Sequence, residues 1–442
     1  MSPHQDIVPP LGGGELAVFL LQVGTLLTLA LVLGRVAARA RMPAIVGELA
    51  AGIALGPSVL GHVAPGVARW LFPVRTEQFH VLDGFTQIGS VLLVGMTGVL
   101  LDFALVRRRA VAVGSVSLPG LILPLGLGVA AGFLVPGSFL AAGRDRAVFA
   151  LFLGVAMSVT AIPVIAKTLS DMGLLHRNIG QLTLAAGAVD DTCGWLMLAV
   201  VTAAATTGAH GSDIALSAGR VAGFTAVVIL AGRPAARLFL RTAGRSGSDG
   251  LVAAGTAVVI LLGAGAAAAL GLEPVSGAFA AGAVMGMSGE LAAARLARLR
   301  ETVNFVLAPV FFATAGLRVD LWSLGTPAGV LTVVLLLAVA VAGKFGGAYG
   351  GAKAAGLNRW EALALGAGMN SRGVVQLVMA TVGLRLGILT STTYTFVVII
   401  ALATSVMAVP VLRLAMSRVE YTIEERLREE VMTAERPRQL GG

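Results

Sequence analysis

Gly47-Glu48-Leu49-Ala50-Ala51-Gly52-Ile53-Ala54-Leu55-Gly56 has a counterpart 230 residues later, Gly277-Ala278-Phe279-Ala280-Ala281-Gly282-Ala283-Val284-Met285-Gly286, with its glycines at the same three places. Two further matches follow in the same order. Gly98-Val99-Leu100-Leu101-Asp102 pairs with Gly316-Leu317-Arg318-Val319-Asp320 at an offset of 218, and Gly154-Val155-Ala156-Met157-Ser158 with Gly366-Ala367-Gly368-Met369-Asn370 at 212. Each match alone is weak in a chain this rich in Gly and Ala. Three in one order point to a duplicated unit.

The composition sets the medium in which that unit folds. Apolar residues make up 57% of the 442, and 58 glycines come on top. Charged residues are 12%, about half the usual quarter, and the mean hydropathy is +0.89. A soluble core of this length does not need so much apolar surface, so the chain is expected to be an all-α polytopic membrane protein. The alternation of an outer-membrane barrel is absent. The single cysteine, Cys193, excludes a disulfide framework. His62, His80, His176 and His210 fall in loops and His4 in the N-terminal tail, so a His metal site is not expected.

A span needs about 20 mostly apolar residues, fewer where it is broken inside protein. Thirteen segments meet this, near 15–36, 43–60, 81–103, 110–135, 147–170, 178–207, 213–232, 250–270, 274–288, 302–317, 328–352, 361–384 and 392–416. Residues 1–14 are expected as an extracytoplasmic tail, with the first span an anchor, not a cleaved leader, because no basic region precedes it. Residues 417–442 are expected as a short cytoplasmic tail. The matches lie on segments 2, 3 and 5 and on 9, 10 and 12. They predict one repeat over 15–207, a linker helix at 213–232 and a second repeat over 250–416. Six-span units separated by one span face opposite ways, the inverted repeat of many secondary transporters. Odd-numbered loops and the C-terminal tail hold 23 Lys and Arg and even-numbered loops hold 6, which puts the N-terminus outside and the C-terminus in the cytoplasm. The net charge of +9 is therefore a topology signal with some attraction to lipid surfaces, not a nucleic-acid footprint.

Ionisable groups deep in a span are costly and are functional candidates. Asp190 and Asp191 lie thirteen residues into segment 6, about 20 Å along it at helical rise. Adjacent residues point about 100° apart, so the two carboxylates have different neighbours. The natural counter-charge is Lys344, one of three lysines and placed inside segment 11; snorkelling to the interface is the competing reading. Segment 5 carries Ser158, Thr160 and Pro163 and segment 12 carries Asn370, Ser371 and Arg372, both readable as broken helices whose freed carbonyls suit a small cation. Pro163 also fits a simple kink, and the sequence names no partner for Arg372. Glu48, seven residues past a basic loop, reads more simply as an edge ion pair.

These residues together resemble the sodium/hydrogen exchanger family, within the monovalent cation:proton antiporters. The resemblance is carried by Val46-Gly47-Glu48 through Gly61, Thr160-Ala161-Ile162-Pro163 through Leu169, Asp190-Asp191, Lys344 and Gly368-Met369-Asn370-Ser371-Arg372-Gly373, in order, over about residues 15–416. Paired aspartates resemble its electrogenic bacterial branch. The resemblance implies a thirteen-helix sodium/proton antiporter fold with a core and a dimerisation domain, crossed broken helices at segments 5 and 12, and a homodimer in the cytoplasmic membrane. It implies that Asp191 binds the proton and the transported monovalent cation, Na⁺ or K⁺, that Asp190 pairs with Lys344, and that no cofactor takes part. One departure is Gln376, where the family often has Glu. The nucleotide-binding regulatory domain of the potassium-efflux branch is not expected in this chain.

A channel needs a continuous pore and filter, not titratable carboxylates at one central point. An intramembrane aspartyl protease needs one acid on each of two facing spans. Antiport is therefore the leading expectation. A reporter active only outside the cytoplasm, fused after Gly442, is expected to stay silent; activity there reverses the assigned topology.

Overall fold

The computed structural model describes residues 12–40, 42–72, 76–99, 110–143, 145–160, 165, 168–169, 172–174, 176–207, 219, 222–224, 226–245, 248–287 and 293–426. Pro163, Lys167, Asp102 and Arg107 to Arg109 lie outside them. The described elements are helical throughout, as lipid demands of any backbone that must satisfy its own polar groups. Among the described residues, eight helices are long and apolar enough to cross a membrane, and two shorter apolar helices accompany them.

In chain order the described α-helices of ten residues or more are α1 (Gly13–Arg39), α2 (Ala44–Leu55), α3 (Thr76–Val99), α4 (Ala110–Leu134), α5 (Arg146–Ser158), α6 (Asn178–Thr207), α7 (Arg233–Arg245), α8 (Asp249–Ala269), α9 (Pro274–Met287), α10 (Ala308–Leu317), α11 (Pro327–Ala354), α12 (Arg359–Met369), α13 (Val374–Arg385) and α14 (Ser391–Met416). The outer ends carry ordinary caps. Asp145 accepts from the Ala147 amide at 2.7 Å ahead of α5, and Asn358 and Glu361 form a capping box ahead of α12. The stretch around Arg233 to Arg245, expected as a basic loop, is helix α7. Its arginines recur every four residues while Ala236 and Leu240 are buried, so the helix is amphipathic, and a search for wholly apolar segments passes over it.

Two groups of helices form. In one, α1 packs on α2, α8 on α9, α2 on α10 and α9 on α3; in the other, α4 packs on α11 and α5, and α12 on α11 and α14, with α6 against α4 and α5. We call them scaffold and core.

The scaffold contacts recur in register. A Cβ on Gly47 would lie 2.0 Å from the Leu33 carbonyl oxygen, and one on Gly277 2.4 Å from that of Gly263, so both contacts shift by the same 230 residues. A Cβ on Gly52 would meet the Ala313 oxygen at 1.8 Å, and one on Gly282 the Gly95 oxygen at 2.0 Å. Ala313 and Gly95 are 218 apart, the offset of the second sequence match. In the core, Gly343, Gly347 and Gly351 of α11 meet Pro124, Pro119 and Ser115 of α4 in reverse order, so these two helices run antiparallel. Small residues at four-residue spacing let backbones approach this closely.

The beginning of the tail is docked. Arg177, just before α6, pairs with Glu425 at 3.2 Å and lies 4.5 Å over the Tyr421 ring. Burial works against the Glu425 charge, but the Thr422 and Asn178 amides and Arg177 outweigh it and hold the carboxyl below its ordinary range. That contribution to docking is present at neutral pH and is lost as pH falls through the lowered value.

Gly52→Ala and Gly282→Ala are expected to destabilise the protein alike, by about 1–3 kcal/mol or more. Gly126→Ala, which meets nothing within 4 Å, gains helix propensity of about 1 kcal/mol. Thermal unfolding in detergent checks the contrast.

Candidate functional site: two broken helices around a buried carboxylate pair

Helix α5 stops at Ser158, and Val159 and Thr160 continue in non-helical backbone. The break thus precedes Pro163, and it leaves the last carbonyls of α5 without helical partners. Two cations take them. Lys344 donates to the Ser158 oxygen and Arg372 to the Ala156 oxygen at 3.2 Å. A helix C-terminus carries negative partial charge, so cations suit it. The second break separates α12 from α13 at Asn370 to Gly373. The breaks touch each other, because Thr160 Oγ1 lies 3.1 Å from the Met369 carbonyl oxygen, as well as 3.0 Å from Asp190 Oδ2.

Helix α6 brings both aspartates to this crossing, and both are fully buried. Their surroundings differ. Asp190 is saturated: Lys344 forms an ion pair with it, and Ser117 and Thr160 donate to it. Asp191, turned about 100° away on the helix, has no hydrogen-bond partner on either oxygen. Asn370 Oδ1 and Ser371 Oγ, at the second break, are likewise buried without partners. Lys344 is fully buried, so the snorkelling alternative is excluded.

Arg372, for which the sequence offered no partner, is fully buried and held by carbonyls of Ala156 and, at 3.1 Å, Ala340. Its own carbonyl accepts from Ser405. Gln376 is buried, with Nε2 3.5 Å from the Val397 oxygen and its Oε1 unpartnered. Glu48 lies in the scaffold helix α2, outside this cluster, and the expected edge ion pair is not among the described salt bridges.

Ser117 was not anticipated. The signal available was a pair of hydroxyls, Ser115 and Ser117, just before Pro119 and Gly120 in an otherwise apolar span, opposite the glycine ladder Gly343, Gly347 and Gly351 that draws α4 onto α11.

The match to known proteins agrees with this geometry. The model of the transmembrane sodium/hydrogen exchanger family covers residues 26–417. The chain belongs to that family. It is 32% identical over 398 residues to the Na⁺/H⁺ antiporter NhaS4 of Synechocystis, spanning 89% of this chain and 96% of that one. It is 30% identical to cation/H⁺ antiporter 15 of Arabidopsis thaliana over 88% of this chain, which amounts to 47% of that longer protein. The sodium proton antiporter MjNhaP1 of Methanocaldococcus jannaschii shares the fold, with a TM-score of 0.64 at 16% identity over 91% of this chain and 99% of that structure.

The unequal partnering of the two acids predicts unequal effects on stability. Asp190→Ala strands Lys344 and is expected to cost about 3–5 kcal/mol. Asp191→Asn removes a charge that has no partner and is expected to melt no lower than wild type. Melting of both variants in detergent is the check.

Proposed function

We propose that Asp191 is the transport site of this monovalent cation/proton antiporter, taking a proton and a cation in turn. The observation that carries this reading is its isolation: a fully buried carboxylate with both oxygens unpartnered, beside a twin that is fully engaged. A lone charge in that position must be neutralised. A proton does so covalently. A dehydrated Na⁺ or K⁺ does so electrostatically, with hard oxygens completing its shell. Asn370 and Ser371, with free oxygens at the adjoining break, are the proposed additional ligands. Only one neutralising partner fits at a time, so binding of one ion excludes the other.

Asp190 serves as the fixed anchor. Its pairing keeps Lys344 at the end of α5, where a proton on that lysine enters the count of charges. If the cation displaces a proton from Asp191 alone, exchange is electrically silent. If Lys344 also releases its proton, two protons move per monovalent cation, and we assign this electrogenic scheme to the chain. Arg372 caps the broken helix in either state, because its partners are carbonyls. Gln376 takes no proton, so no acid acts in coupling at that place.

The transporter is placed in the cytoplasmic membrane with its N-terminus outside, as the 23-to-6 basic count supports. Repeats at 15–207 and 250–416 are read as inverted copies, with the core moving against the scaffold so that Asp191 faces each side in turn. The scaffold is the proposed homodimer face, with membrane lipid around the rest.

In proteoliposomes with a preset pH gradient, Na⁺ or K⁺ is expected to drive proton movement in the wild type and none in Asp191→Asn. Robust exchange in that variant overturns the site. Wild-type rates are expected to respond to an imposed membrane potential, and Lys344→Gln to lose the response. Indifference to potential in the wild type rejects the two-proton scheme while leaving antiport intact.

A further inference from the structure

Core and scaffold are joined along one rim by polar contacts that the transport chemistry does not use. Arg385, the last residue of α13, grips Glu273, just ahead of α9, with one nitrogen 2.6 Å from each carboxylate oxygen. The Glu273 side chain is 3% exposed and that of Arg385 36%. Nearby on the same rim, the Tyr394 hydroxyl of α14 donates to the Ala315 oxygen of α10 at 2.7 Å. The Asp320 amide, beyond α10, donates to Thr395 Oγ1 at 3.1 Å. By the basic-residue count this rim is the outer one.

Below the ion pair lies an aromatic plug. Trp195 is one helical turn beyond Asp191 on α6, so it shares that face, about 6 Å closer to the outer rim. Its ring sits 6.1 Å from that of Phe279 on α9, and its carbonyl accepts from Ser276 at 3.3 Å. Trp195 is 1% exposed and its indole Nε1 is buried without a partner. From the rim inward the order is therefore Glu273–Arg385, then Ser276 and Phe279 against Trp195, then Asp191.

We propose that Glu273 and Arg385 form the outer lock of the transporter, a charge pair that closes the core against the scaffold and must part each time Asp191 opens outward, with Trp195 and Phe279 as the plug beneath it. The proposal rests on the reading of Asp191 as the transport site and of core movement as the transport step. A charge pair in which one guanidinium nitrogen reaches both carboxylate oxygens, set between the moving bodies, is suited to the role. It is charge-assisted and strong while closed, and the partly exposed Arg385 regains water as soon as it separates. Closure by a pair of this kind biases the two-state equilibrium without touching the ion site.

The test is a reversible tether across the lock. Glu273→Cys and Arg385→Cys are combined in a Cys193→Ser background, reconstituted, and bridged with a bis-methanethiosulfonate reagent of matching length. Exchange is expected to fall to background on bridging and to return on reduction. The same bridge between Asp83→Cys and Arg318→Cys, a pair 2.5 Å apart within the scaffold, is expected to leave exchange in place. Full exchange in the bridged Glu273/Arg385 protein overturns the lock. Charge reversal gives an independent reading. Glu273→Arg is expected to impair exchange and the double reversal Glu273→Arg/Arg385→Glu to recover it; a double variant as impaired as the single one also overturns the proposal. Wild-type protein in the same liposomes separates the two ideas, since absence of exchange there counts against antiport itself, not against the lock.

Discussion

Charge buried away from water is the constraint on which the rest of this structure depends. Asp190, Asp191, Lys344 and Arg372 are all fully enclosed, and in a membrane interior each needs a partner or a neutralising ion. The chain supplies partners to three. Lys344 and Asp190 satisfy each other, and both cations also rest on carbonyls released where α5 stops. Asp191 is left over without a partner, and the proposed transport role rests on that. Breaking α5 early therefore frees the carbonyls that hold the cations, and it sets Thr160 against the Met369 carbonyl at the second break.

The glycines make this arrangement possible. Approaches such as Gly52 to the Ala313 backbone and Gly282 to the Gly95 backbone leave no space for a side chain, so scaffold helices lock into a fixed register by contact of main chains. The same device on α11 draws in α4 and with it Ser117, which completes the shell around Asp190. Close backbone packing within each group, with polar ties at the rim between groups, fits the proposed movement of core against scaffold.

Much of this was legible in the sequence, for physical reasons that differ by residue. Charges in apolar spans announce themselves, so Asp190, Asp191, Lys344 and Arg372 stood out. The glycine spacing in segments 2 and 9 foretold contacts that recur in register, because only small residues tolerate such approaches. Partners that are backbone atoms were not legible: nothing in the sequence says that Arg372 rests on the carbonyls of Ala156 and Ala340. Helix geometry alone did not say which aspartate would be paired, since adjacent residues differ only in the direction they face; that choice came from the family resemblance, which implied Asp190. Helix α7 was missed because an amphipathic surface helix lacks the continuous apolar run that marks a span. Glu273 and Arg385 sit at segment ends, where charges are common and their meeting depends on tertiary structure.

The central claim is that one carboxylate, Asp191, is shared by proton and cation. Competition at a single site ties cation affinity to pH, and the concentration of Na⁺ or K⁺ giving half-maximal exchange in proteoliposomes reads it directly. The account predicts that in the acid range this concentration rises roughly tenfold per unit of acidification for each proton displaced, while the maximal rate at saturating cation stays constant. A half-maximal concentration that does not change with pH contradicts it.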